Sequence, residues 1–75
     1  MDIYEQIKDF IGVQFETDES DISLNTTLDE LGADSLDLID LISDIESEYE
    51  IEIPIEAVSK IKNVGELVAV IEENV

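Results

Sequence analysis

Seventy-five residues carry 21 acidic and three basic side chains, a formal charge of −18, which excludes partners with a phosphate backbone and repels an anionic membrane surface. There is no cysteine and no histidine, so disulfides, thiolate metal sites and the usual general base are absent. A domain of this size buries only about 60% of its unfolded surface, leaving a modest core and little room for a water-excluding catalytic site. With Tyr4, Phe10, Phe15 and Tyr49 as the only aromatic residues, that core is expected to be aliphatic.

Residues 2–15 place Ile3, Ile7, Phe10, Ile11 and Phe15 at helical spacing. Asp2 with Glu5 resembles a capping box, and Gly12 weakens the helix near its end. Residues 16–34 are polar and turn-rich. They read as a long loop with one short helical turn near 27–31, pinned to the core by Ile22, Leu24, Leu28 and Leu31. Loops this long in small domains are often functional.

Residues 35–50 form the strongest helix, with Asp34 as N-cap and Asp37 at the third helical position. Leu38, Leu41, Ile42, Ile45 and Tyr49 fall in one stripe and are assigned to the core. The run IEIP ends the element, because the residue before Pro54 is pushed out of the α region. A short helix over 55–61 would use Ile55, Val58 and Ile61. Asn63 and Glu66 resemble a capping box for a last helix over 64–74, with Leu67, Val68 and Ile71 inward. The stretch EYEIEIP alternates at period two, but nothing else in the chain could pair with it. The expected fold is all-α: a small four-helix bundle of three main helices and one short one, with a long loop between the first and second. Residues 1–75 read as a single domain.

Ser35, in LGADSLDLID, stands where a turn gives way to that strongest helix. As a nucleophile it lacks a histidine base, and there is no G-x-S-x-G elbow. As a helix cap it competes with Asp34. As a modification site it offers a hydroxyl at a helix start, where free N–H groups and positive potential favour an attached phosphate. Spacing leaves capping and modification open.

The stretch LDELGADSLDLIDLISDIESEYEIEIP, with IGVQF before it and KIKNVGELV after it, resembles the acyl carrier proteins of fatty-acid synthesis. The resemblance runs the length of the chain. It implies that Ser35, flanked by Asp34, receives 4′-phosphopantetheine from coenzyme A through a phosphopantetheinyl transferase. The arm would supply the thiol the chain lacks and carry acyl groups as thioesters to fatty-acid-synthesis enzymes. The chain itself would not be an enzyme. Leu36 projects almost opposite the core stripe and Ile39 lies on its flank. Solitary exposed apolar residues are ordinary, but here they read as an apolar anchor for partners. Asp37, Asp40, Asp44 and Glu48 share a face despite mutual repulsion. With Glu46 they read as a docking strip for the basic patches of partner enzymes; the plain alternative is a solvated face. In the family a long acyl chain slips between the helices. Ser43 and Asp44 stand where many fatty-acid carriers have a methionine and a small apolar residue, which leaves room for a specialised carrier. The rival readings are a carrier for polyketide or other specialised lipid assembly and a non-carrying acidic adaptor.

The acids at 18–21 and at 72–73 invite diffuse cation binding, but no EF-hand loop is present and no dedicated metal site is expected. No apolar run approaches the roughly 20 residues that cross a bilayer. The N-terminal residues have neither a basic nor an apolar signal region. The expectation is a cytoplasmic monomer that binds no nucleic acid and inserts in no membrane.

Overall fold

Three amphipathic helices and one short helix follow the expected order. A computed structural model describes residues 2–75. The helices are α1 (Ile3–Phe15), α2 (Ser35–Tyr49), α3 (Ile55–Val58) and α4 (Val64–Asn74). Among the described residues there is no strand, only an isolated antiparallel bridge between Thr27 and Asn63. α1 packs against α2 and α4, and α3 packs against α2.

The core is aliphatic, as composition required. Ile7 and Ile11 of α1, Leu41 and Ile45 of α2, and Val64, Leu67 and Ile71 of α4 are fully buried. Each such side chain contributes about 1.5–3 kcal/mol of transfer free energy. The four aromatic residues are half-buried at the margin of this cluster. Tyr49 Oη donates a hydrogen bond to Gln6 Oε1, tying α2 to α1. The Cα trace is 18 Å deep in its shortest direction. Each long helix keeps a face to solvent, with Val13 on α1, Leu36 and Asp40 on α2 and Glu72 on α4 exposed.

Helix ends account for most of the loop geometry. Asp2 caps α1 by accepting from Tyr4 N, so the box expected with Glu5 does not close. α1 and α2 both end on a left-handed residue, Glu16 (φ 53°) and Glu50 (φ 56°). In each case the next residue, Thr17 or Ile51, donates back five positions, to Gly12 O or Glu46 O, as in a Schellman motif. Gly12 leaves room for this turn: a Cβ on it would lie a tight 3.0 Å from Thr17 O.

The long loop is ordered by three devices. Glu19–Asp21 forms a 3₁₀ turn where polar composition predicts only loop, capped by the Asp18 carboxylate on Ser20 N. Ser20 N–H and its hydroxyl hold the Asp18 carboxyl below the ordinary carboxylate range. The turn expected near 27–31 exists as a single hydrogen-bonded turn. Thr27 and Glu30 cap each other, Glu30 Oε1 accepting from Thr27 N and Thr27 Oγ1 from Glu30 N. Gly32 (φ 74°) and Ala33 close it onto Asp29 O and Leu28 O. Finally, the loop is stitched to the start of α4. Leu28 N donates to Lys62 O, Val64 N to Thr26 O, and Gly65 N to Leu24 O at 2.8 Å.

Two expected burials are corrected. Leu24 is exposed; it pins the loop through its carbonyl rather than its side chain. Ile55 is 67% exposed. α3 ends at Val58, short of the expected 61, so Ile55, Val58 and Ile61 never share one helical stripe. Val58 and Ile61 are buried, and Ile55 remains at the surface.

Candidate functional site

The Schellman turn at Gly32 delivers the chain to Asp34 in extended conformation, and α2 begins at Ser35. Asp34 Oδ1 accepts from Asp37 N at 2.9 Å, and Asp37 Oδ2 from Asp34 N at 3.3 Å. This reciprocal box assigns the cap to Asp34 and relieves Ser35 of that duty. Ser35 is exposed, one residue inside a 15-residue helix, with the positive end of the helix dipole behind it.

Beside Ser35 opens an apolar cleft of roughly 860 Å³ between α2, α3 and the 27–34 turn. Leu28, Leu38, Val58 and Ile61 form its buried wall, and Ile39 and Ile55 stand at its mouth. Lys62 is the one cationic side chain that lines it. The site offers a free hydroxyl, an anion-favouring helix start and a greasy slot, with no histidine or cysteine in the chain to act as base or nucleophile.

The remaining candidate residues divide around α2. Leu36 is 71% and Ile39 41% exposed, so with Ile55 three aliphatic side chains lie open near the serine. Asp40, Asp44 and Glu48 are exposed and Asp37 is half-buried. Asp37, Asp40 and Asp44 border a second groove, against α1 rather than beside the serine. Gln14 Nε2 donates to Asp37 O at 2.8 Å and fixes the end of α1 to the first turn of α2. Glu46 differs from its neighbours. It is half-buried, and its Oε2 accepts from Ile53 N at 2.7 Å, so its carboxylate is occupied by the loop after α2. Sequence reasoning missed Ile55 and Lys62 at the cleft. Pro54 directly before Ile55 marked a helix start, where a first-turn side chain is free to face outward. Nothing in the local pattern pointed to Lys62.

The family model for the phosphopantetheine attachment site matches residues 2–71. The chain belongs to that family. Among curated relatives, an acyl carrier protein of Streptococcus pneumoniae serotype 4 is 42% identical over 73 residues, covering 97% of this chain and 96% of that one. An acyl carrier protein of Clostridium acetobutylicum is 40% identical over 67 residues, covering 88% and 87%. The crystal structure of an acyl carrier protein from Thermotoga maritima superposes with a TM-score of 0.81 at 30% identity, over 97% of this chain and 89% of that one. The phosphopantetheine-attachment fold is thus the frame in which the serine, the cleft and the acidic helix face are to be understood. Its cofactor is 4′-phosphopantetheine, and its members carry rather than transform their cargo.

Proposed function

We propose that Ser35 Oγ is the attachment atom and that the chain carries acyl intermediates of fatty-acid synthesis. The observation that carries this reading is the exposed hydroxyl in the first turn of α2, at the lip of an apolar cleft. Ser35 Oγ attacks the phosphorus of coenzyme A that bears the pantetheine. One P–O bond forms, the bond to the nucleotide phosphate breaks, and 3′,5′-ADP leaves. The serine proton passes to a base on the transferase, since this chain has no histidine to take it. The free N–H groups of α2 favour the resulting phosphodiester, while Asp34 and Asp37 keep the surroundings negative and suited to a basic enzyme. Once attached, the arm supplies a thiol for thioester carriage, and the tether raises the local concentration of the acyl group at each enzyme. Leu28, Leu38, Val58 and Ile61 offer an acyl chain a dry wall, each buried methylene contributing about 0.8 kcal/mol.

In this reading the chain has no catalytic residue of its own. It acts as a cytoplasmic monomer and one domain. Partners meet it through Leu36, Ile39 and the carboxylates of Asp37, Asp40, Asp44 and Glu48. Intact-mass measurement after incubation with coenzyme A and a broad-specificity transferase tests it. The wild-type chain should gain one phosphopantetheine and the Ser35→Ala chain none. A gain that survives Ser35→Ala would move the attachment elsewhere, and no gain in the wild type would favour an acidic adaptor.

A further inference from the structure

The cleft beside Ser35 holds one cation, and the fold does not use its charge. Three lysines stand against 21 acids in this chain. Lys8 is engaged within α1: its Nζ lies 3.3 Å from Glu5 Oε1 and 4.7 Å from the centre of the Tyr4 ring. That is the one ion pair among the described residues. Lys60 is exposed and lines no part of the cleft. Lys62 lines it together with Ser35, and its ammonium has no carboxylate partner.

An unpaired lysine is unexpected where the formal charge is −18. Two nearby acids are committed to the backbone. Glu66 Oε1 accepts from Lys62 N at 2.9 Å, and Asp34 Oδ1 accepts from Asp37 N at 2.9 Å. Asp29 also lines the cleft, yet it forms no ion pair with Lys62. The main chain of Lys62 is held on both sides, its N–H by Glu66 and its carbonyl by Leu28 N at 3.1 Å. These bonds fix the root of the side chain to α4 and to the 27–31 turn and leave the ammonium free. The same turn leads through Gly32 into Ser35. One hydrogen-bonded frame thus presents a cation and a modifiable hydroxyl at the same cleft.

A phosphodiester on Ser35 Oγ carries one negative charge and is set down beside Asp34 and Asp37, which repel it. Lys62 is the cleft's one means of offsetting that repulsion with a full positive charge. An ammonium is a compact, strongly hydrated charge that needs no fixed bond geometry, and the covalent tether keeps its anion at high effective concentration.

We propose that Lys62 is the counter-ion of the phosphodiester on Ser35 and turns the arm along the cleft, toward Val58 and Ile61. The inference rests on the attachment reading and adds to it a positioning residue from the segment before α4. An exposed ion pair is weak, so Lys62 biases the arm without locking it, and the arm stays free to leave for an enzyme.

The test uses the full chain loaded from coenzyme A by a broad-specificity transferase, with loading checked by intact mass. Nuclear Overhauser contacts between the gem-dimethyl protons of the arm and the methyls of Val58 and Ile61 report an arm turned along the cleft. At low salt, Lys62→Gln should weaken these contacts about twofold, within the range an exposed ion pair supports. Lys62→Arg should restore them. Lys60→Gln removes the same charge from an exposed position outside the cleft and should leave them unchanged. Salt at about 1 M should reproduce the loss in the wild type and add little to Lys62→Gln. Amide spectra of the unloaded Lys62→Gln and wild-type chains should coincide away from residue 62, because its contacts to the fold are made by its main chain. Contacts absent from the loaded wild type, equal in Lys62→Gln, equally weakened in Lys60→Gln, or not restored by Lys62→Arg would each overturn the proposal and leave attachment standing. A wild-type chain that gains no mass would instead overturn the attachment reading, and this one with it.

Discussion

At the scale of single residues, the carboxylates of α2 have unequal duties although the sequence writes them alike. Asp34 and Asp37 cap the helix, Glu46 closes the following loop, and Asp40 and Asp44 are exposed with no such role. Asp40→Lys therefore separates docking from folding. The transferase reaction at Ser35 should slow at low salt, since rim charges chiefly set association rates, while Tm should stay within about 0.5 kcal/mol equivalent of wild type. Equal rates at low salt would show that Asp40 takes no part in encounter. Asp34 was legible as a cap because capping is local: donor and acceptor lie three residues apart. The role of Glu46 was not, because its partner Ile53 lies beyond a helix end and a turn whose course depends on packing. Leu36 was readable as exposed from its angle to the core stripe alone. Ile55 was not, because α3 is too short for periodicity to mean much.

At the scale of elements, the three long helices were readable because cap residues and 3.6-residue patterning agree at each of them. The loop between α1 and α2 was only half-readable. Its turn at 27–31 follows from a local Thr–Glu pair and Gly32, whereas the 3₁₀ turn lacks an apolar pattern, and the stitches to α4 join residues distant in sequence. Two substitutions at left-handed positions should move stability in opposite directions. Gly32→Ala forces a Cβ into φ 74° and should cost about 1 kcal/mol in denaturant unfolding. Glu50→Gly relieves the same strain at φ 56° and removes an anion from the negative end of α2. It should gain about 1 kcal/mol. A loss of stability in Glu50→Gly would mean that its side chain holds something beyond its backbone role.

At the scale of the whole molecule, Tyr49 joins the two halves of the bundle through its bond to Gln6. Burial first, and the charge of Glu48 second, raise the Tyr49 phenol above its ordinary value near 10. A raised acid is more readily ionised in the unfolded chain. Its stabilising share is therefore full below pH 10 and lost as pH climbs through the folded value. Tyr49→Phe should be less stable than wild type by about 1 kcal/mol at neutral pH, the usual worth of one hydrogen bond. That gap should narrow above pH 10; a gap constant to pH 11 would deny the linkage. The stitching of residues 24–28 to residues 62–65 also has a consequence in time. The chain is made from its N-terminus, so the platform that presents the serine lacks its last struts until α4 has left the ribosome. Fitting of the arm should accordingly wait until residues 62–65 are free to pair with the loop, and chains halted before Lys62 should be poor substrates for the transferase.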